Sequence, residues 1–194
     1  ANASNYASYG ETLALQGKWT EAQKWINMAN KIAPTDRRVL LTTGIYYYWK
    51  REYDTATKYL ENMSPKSWFY LGMVDIANNK SEKIEEMFRT HYPKFEQYDG
   101  GSKALLAYAL IKNGHINEAR NILEFIEDLN QVVEYRSAVC YVALGEYDKA
   151  FELLNQYFKL QGNWMTWFKY DPTWDSVRND KQYKDLLNKM PFDK

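Results

Sequence analysis

The sequence predicts an all-α fold, an α-α superhelix of about five helix pairs closed by a C-terminal capping helix. Three observations predict it. A short stretch recurs, seen best in Gly145-Glu146-Tyr147-Asp148-Lys149-Ala150, with a helical pattern running into it and another running out. Copies stand at Gly17-Lys18-Trp19-Thr20-Glu21-Ala22 and Gly114-His115-Ile116-Asn117-Glu118-Ala119, with a weaker one at Arg51-Glu52-Tyr53-Asp54-Thr55-Ala56 and a degraded one at Asn79-Lys80-Ser81-Glu82-Lys83-Ile84. Their first residues are 34, 28, 35 and 31 positions apart, close to the period of a helix–turn–helix repeat of about 34 residues. Between them, apolar residues follow the i, i+3, i+4, i+7 spacing of amphipathic helices.

Glycine suits the first position because it accepts positive φ where a helix ends. Seven residues before each turn position stand Gly10, Gly44, Gly72, Ala107 and Ala138, and five after it Ala22, Ala56, Ile84, Ala119 and Ala150. Small side chains at both places let the two helices of a pair approach. Ile84 departs from the rule and predicts a looser or displaced third pair. In the first copy Tyr6, Tyr9, Gly10, Leu13, Gly17, Trp19, Ala22, Ile26, Ala29 and Pro34 fall at the positions of one family, and the chain resembles the tetratricopeptide repeat (TPR) over about residues 3–160. The resemblance implies a single domain over 1–194, with repeats at about 3–36, 37–64, 65–99, 100–130 and 131–160 and a cap at 161–194.

Each predicted element has a local reason. The first pair, about 4–16 and 19–32, carries the stripe Trp19, Ala22, Trp25, Ile26, Ala29, Ile32 on its second helix and ends at Pro34 and Asp36. The second pair, about 37–50 and 52–63, opens with a helix that is apolar nearly all round, which calls for burial on more than one side or a ligand groove. Its second helix is cut short by Ser64-Pro65, because proline disfavours helix before it. Pro65 then suits the first turn of the third pair, about 65–78 and 80–91, whose run Glu82, Glu85, Glu86 reads as a solvated face. The segment from His91-Tyr92-Pro93 to Gly100-Gly101 is the longest irregular connection, a candidate hinge. The fourth pair spans about 102–113 and 116–127, the fifth about 131–144 and 147–160.

The tail has another pattern: Asp171, Pro172, Trp174, Asp175, Val177, Arg178, Asp180, Tyr183, Leu186 and Leu187. It resembles the segment that closes TPR arrays in some bacterial signalling proteins, which implies attachment to an adenylate cyclase, a kinase or a winged-helix regulator. Physically it reads as a cap over the apolar edge of the last repeat. Asp180 suits the N-cap of a final helix, and Arg178 can pair with Asp171 or Asp175.

Composition bounds the function. The 194 residues are 45% hydrophobic and 26% charged, enough apolar content for a real core. The 25 basic and 25 acidic residues cancel, so no long-range field draws in nucleic acid or an anionic membrane. No apolar run is long enough for membrane insertion. The one cysteine, Cys140, sits in an apolar helical pattern and reads as a buried small hydrophobe. It fits a reducing, cytoplasmic setting and leaves the periplasm open. The chain opens without an initiator Met, almost in its first helix, and reads as a piece of a larger protein or a processed mature chain.

No catalytic or cofactor signature is evident. His91 and His115 lack second ligands at metal spacing, and there is no phosphate-binding glycine loop or nucleophile elbow. The sequence therefore predicts no enzyme, no cofactor and no metal. In TPR arrays the first helices of the pairs line a concave groove. The resemblance places Arg38, Leu41, Ile45, Tyr48, Phe69, Met73, Tyr108, Ile111, Tyr135 and Val139 there. Some family members grip a terminal carboxylate with lysine and asparagine at these places; here Leu41 and Ile45 occupy two of them, so a segment with hydrophobic anchors fits better. The groove is expected either to bind a protein or peptide partner or to be closed by the tail or by the rest of the full-length chain. Two alternatives stay open: a self-associating scaffold, hence a homo-oligomer, and a small-molecule sensor with Trp49 and Trp68 near the aromatic groove.

Overall fold

The computed structural model describes residues 2–63, 68–91, 100–128 and 135–190, without the side chains of His91 and Asn163. The expected proline start at Pro65, the connection over 92–99 and the start of the ninth helix at 131–134 lie outside the described residues. Within them all regular structure is helical: α1 Ala3–Leu15, α2 Trp19–Ile32, α3 Arg37–Trp49, α4 Tyr53–Glu61, α5 Trp68–Ala77, α6 Ser81–His91, α7 Gly100–Lys112, α8 Ile116–Asp128, α9 Tyr135–Ala143, α10 Tyr147–Lys159 and α11 Lys181–Asn188. Two 3₁₀ turns, Asn163–Trp167 and Pro172–Val177, precede α11. The fold is an all-α helical repeat.

One device ends the first helix of each pair. Gly17, Arg51, Asn79, Gly114 and Gly145, the five predicted turn positions, all have positive φ, between 56° and 85°. At each, two backbone bonds close the helix end. Gly17 N–H donates to Ala14 O and Lys18 N–H to Leu13 O, at 2.9 Å each; Asn79 N–H donates to Ile76 O and Lys80 N–H to Asp75 O, at 3.1 and 2.8 Å. The same pair of bonds recurs at Arg51, Gly114 and Gly145. This is the Schellman geometry, which satisfies carbonyls that a helix end leaves orphaned. Arg51 and Asn79 adopt it without being glycine, so the position demands the conformation more strongly than the sequence advertises it. Gln161 ends α10 in the same way, with Gly162 N–H donating to Tyr157 O at 3.1 Å.

The chain's contacts divide it into two compact units. The first comprises Ala1–Val74, Tyr170–Pro172 and Met190–Lys194. Here α1 packs on α2, α3 on α4, and α3 on both α1 and α2. The small positions are where the helices meet: a Cβ on Gly10 would stand 3.1 Å from Ala22 O and 2.7 Å from Ile26 Cγ1, and one on Gly44 would stand 2.7 Å from Leu60 Cγ. Asp36 caps α3, its carboxylate accepting from Val39 N–H at 3.0 Å. Nine residues of α3 are buried, among them Ile45, Tyr46, Tyr48 and Trp49, as its all-round apolar pattern predicts. Asn30 ties α2 to it, donating to Thr43 Oγ1 at 2.8 Å.

The second unit comprises Asp75–Lys169 and Thr173–Lys189. In it α7 packs on α6, α8 and α9, and α10 on α9 and α11. Ala107, Ala119, Ala138 and Ala150 are fully buried, and so is Ile84 at the position where the other pairs carry alanine. Cys140 is buried between α9 and α7, with its Sγ donating to Ala104 O at 3.2 Å. Burial pushes its thiol pKa far up, so it behaves as a small apolar residue. The tail contributes Trp174 and Phe168, both fully buried, with ring centroids 5.3 Å apart, and Phe168 stacks on Tyr183 at 4.5 Å. Asp180 caps α11, accepting from Gln182 N–H at 2.7 Å.

Candidate functional site

The residues placed in a groove by the resemblance divide by exposure. In the first unit Ile45, Tyr48 and Met73 are buried, Leu41 and Phe69 are half-buried, and Arg38 is exposed. In the second unit Ile111, Tyr135 and Val139 are buried and Tyr108 is half-buried. Four of the ten therefore present surface: Arg38, Leu41, Phe69 and Tyr108.

Two of the buried residues are engaged by the tail. Tyr48 Oη donates to Asp171 Oδ1 at 2.7 Å, and both residues are buried. Beside them Tyr170 sets its ring edge-on to Trp19 with centroids 5.0 Å apart, and its hydroxyl is 3.2 Å from where a Cβ on Gly17 would lie. Its carbonyl accepts from Arg51 Nη1 at 3.3 Å. In the second unit the Trp174 indole N–H donates to Tyr135 Oη, with ring centroids 5.4 Å apart. Arg136 lies 5.1 Å from the Tyr135 ring and 5.2 Å from the Trp164 ring, within cation–π range of both. Of the pairings open to Arg178, the one to Asp175 is made: its Nε donates to Asp175 Oδ1 at 2.6 Å, and its Nη1 donates to Lys169 O and Tyr183 Oη, each at 2.6 Å.

The exposed residues have a polar border. Arg38 Nη2 is 2.6 Å from Glu11 Oε2 and 3.4 Å from Ser8 Oγ, which joins α3 to α1. Burial raises the Glu11 pKa, and the Arg38 charge offsets part of that rise. Phe69 sets its ring edge-on to Tyr70 at 5.3 Å.

Two polar clusters in the second unit escaped the sequence reading. Glu82 and Glu86 face solvent as expected, but Glu85 is half-buried. It accepts from Asn113 Nδ2 at 2.9 Å and pairs with Arg89 at 2.9 Å and His115 Nδ1 at 3.3 Å. Asn113 in turn accepts from Ser81 Oγ at 2.8 Å. A run of acids at helical spacing signals a solvated face only when no neighbouring turn supplies donors, and here the α7–α8 turn does. The second cluster joins three residues: Tyr141 donates to Glu127, which also pairs with Lys149 at 3.1 Å. Burial, and then the neighbouring Glu127, push the Tyr141 pKa up to about 12, so its phenol stays protonated and holds the bond. In the first cluster the Ser81 hydroxyl is bonded to the Asn113 amide oxygen rather than to Glu85 or His115. Among the described residues no group of three or more His, Cys, Asp or Glu could hold a metal ion, and no helix is long and apolar enough to cross a membrane.

A family model of the tetratricopeptide repeat matches residues 133–163, the stretch that contains α9 and α10. The match supports a tetratricopeptide-repeat family, whose repeats are in general protein–protein interaction modules and typically not enzymes. No curated protein and no solved structure matches the chain significantly.

Proposed function

We propose that this chain is a protein- or peptide-binding module that takes its partner on the first helices of its repeats. The observation behind this reading is the repeated Schellman turn, at Gly17, Arg51, Asn79, Gly114 and Gly145, which ends five first helices in the same way. With the tetratricopeptide match over 133–163, this makes the first-helix surface the natural recognition face. In the first unit it offers Leu41 and Phe69 as apolar anchors, with the Arg38–Glu11 pair nearby as a polar contact. In the second it offers Tyr108. The buried members, Ile45, Tyr48, Met73, Ile111, Tyr135 and Val139, serve as a packed floor that fixes these anchors. A segment with hydrophobic anchors, extended or helical, is the chemistry such a surface recognises. The tail pattern from Asp171 to Leu187 motivates the further proposal that the module serves a larger bacterial signalling or transcription-regulatory protein.

A photo-crosslinking amino acid tests the binding face. It is placed singly at Leu41, at Tyr108 and, as a control on a second helix, at Tyr147, which is exposed. Crosslinks to the same partner from Leu41 or Tyr108 but not from Tyr147 are expected in lysate of the source cells. Crosslinks from Tyr147 alone would move recognition to the second helices and overturn the proposal.

A further inference from the structure

The flank of the first helix pair that faces away from α3 is apolar and uncovered. On α2, Ala22, Ile26 and Ala29 are buried, while Gln23 and Asn30 reach α3 through hydrogen bonds to Tyr47 Oη at 3.3 Å and Thr43 Oγ1 at 2.8 Å. At 100° per residue, Trp25, Met28 and Ile32 lie on the side opposite Gln23 and Asn30. From α1, Tyr6 and Tyr9 lean on Trp25, each with ring centroids 5.2 Å away. Tyr9, Met28 and Ile32 are 49%, 45% and 50% exposed. They are half of the large exposed apolar side chains among the described residues; the others, Phe125, Tyr147 and Leu160, lie on α8 and at the two ends of α10. Single exposed apolar residues are ordinary, whereas a contiguous strip of them marks an interaction surface.

The repeat shows that this position is normally covered. Eight residues before the turn position stand Tyr9, Thr43, Leu71, Leu106 and Ser137. The last four are buried, and Tyr9 alone is exposed. What suits the place is therefore an apolar helix face like those that close the later repeats.

We infer that this flank is a self-association surface, on which a second copy of this chain docks about a two-fold axis with its α2 antiparallel to the first. The charges of Glu21 and Lys31 fit this occupant. Glu21 and Lys31 border the strip near its two ends, both exposed and in no ion pair among the described residues. An axis passing between Trp25 and Met28 sets Trp25 of each copy opposite Met28 of the other. It brings Glu21 of each copy to within about one residue of rise, ~1.5 Å along the axis, of the level of Lys31 on the other. One apolar strip and two symmetry-related ion pairs then close together. An interface of this isologous kind uses the same patch twice and stops at a dimer.

Sedimentation equilibrium of the full chain, from about 1 μM to about 1 mM, tests this across the range of weak to moderate association. The expected result is a monomer–dimer equilibrium that Met28→Glu weakens about thirtyfold or more, with the melting temperature unchanged. Glu21→Lys or Lys31→Glu alone should each weaken it about tenfold, and the double swap should return it to within about threefold of the original. A chain monomeric at every concentration, or a dimer that Met28→Glu leaves intact, would overturn the surface. A double swap that fails to restore the dimer would overturn the antiparallel pairing.

Discussion

At the scale of the residue, two glycines that look alike in the repeat do different work. Gly145 has φ of +80° and nothing within 4 Å of where a Cβ would be, so it is needed for conformation alone. Gly44 lies inside α3, and its missing Cβ is the room that Leu60 fills at 2.7 Å. Leu60 is itself buried and cannot move aside cheaply. Gly145→Ala should therefore cost about 1–2 kcal/mol of left-handed strain, which Gly145→Asn largely recovers because asparagine tolerates that region. Gly44→Ala should lose a similar net amount, overpacking of about 1–3 kcal/mol less the roughly 1 kcal/mol that alanine gains in a helix. There Gly44→Asn should be worse still. Urea denaturation of the four variants separates the cases, and equal costs for the two asparagines would refute the distinction. Tyr48 shows what a residue's type conceals. Its place on an apolar first helix suggested a groove, but its hydroxyl meets Asp171, 123 positions along the chain. No local pattern encodes a partner that distant.

At the scale of the element, the helix pairs were legible because their punctuation is local. Weaker copies of one six-residue stretch, at helical-repeat spacing, identified Arg51 and Asn79 as turn positions although neither is glycine, and both have positive φ. The turn at Gln161 escaped notice because no matching second helix follows it: a 3₁₀ turn does. The Glu85 cluster was hidden for a related reason, since its donors come from Asn113 and His115 at the α7–α8 turn. Burial alone would raise the Glu85 pKa. The hydrogen bonds from Asn113 and Arg89, with the positive charges of His115 and Arg89, outweigh burial and lower it. A carboxyl with a depressed folded pKa stabilises above its unfolded value, near about 4.3, and that contribution is lost as pH falls through the folded pKa. The melting-temperature gap between the wild-type chain and Glu85→Gln should accordingly be widest above about pH 5 and close on acidification. A gap independent of pH would show that Glu85 acts through neutral hydrogen bonding.

At the scale of the whole molecule, the tail is the segment whose removal says most about how the chain is held together. It belongs to both compact units, Tyr170–Pro172 to the first and its flanks to the second, so each has its own stake in it. In the second unit it buries Phe168, Trp174, Tyr183 and Leu186 almost completely. In the first it supplies Asp171 to Tyr48 and the Tyr170 ring to Trp19. The pattern from Asp171 to Leu187 led to the expectation of a cap, but the tail's contacts with α3 were not readable, because they depend on how the chain returns. Burial of a large apolar side chain is worth about 1.5–3 kcal/mol, so deleting residues 164–194 removes several such contributions at once. For a chain of this size each kcal/mol corresponds to about 2–4 °C. The truncated chain should melt at least about 10 °C lower, or lose its cooperative transition. Because a truncated chain can fail to fold for other reasons, Trp174→Phe provides a gentler probe. It keeps the aromatic body but removes the indole N–H from Tyr135, and should cost about 1–3 kcal/mol. A truncated chain that melts like the intact one, with a silent Trp174→Phe, would mean that the tail rests on the repeats without stabilising them.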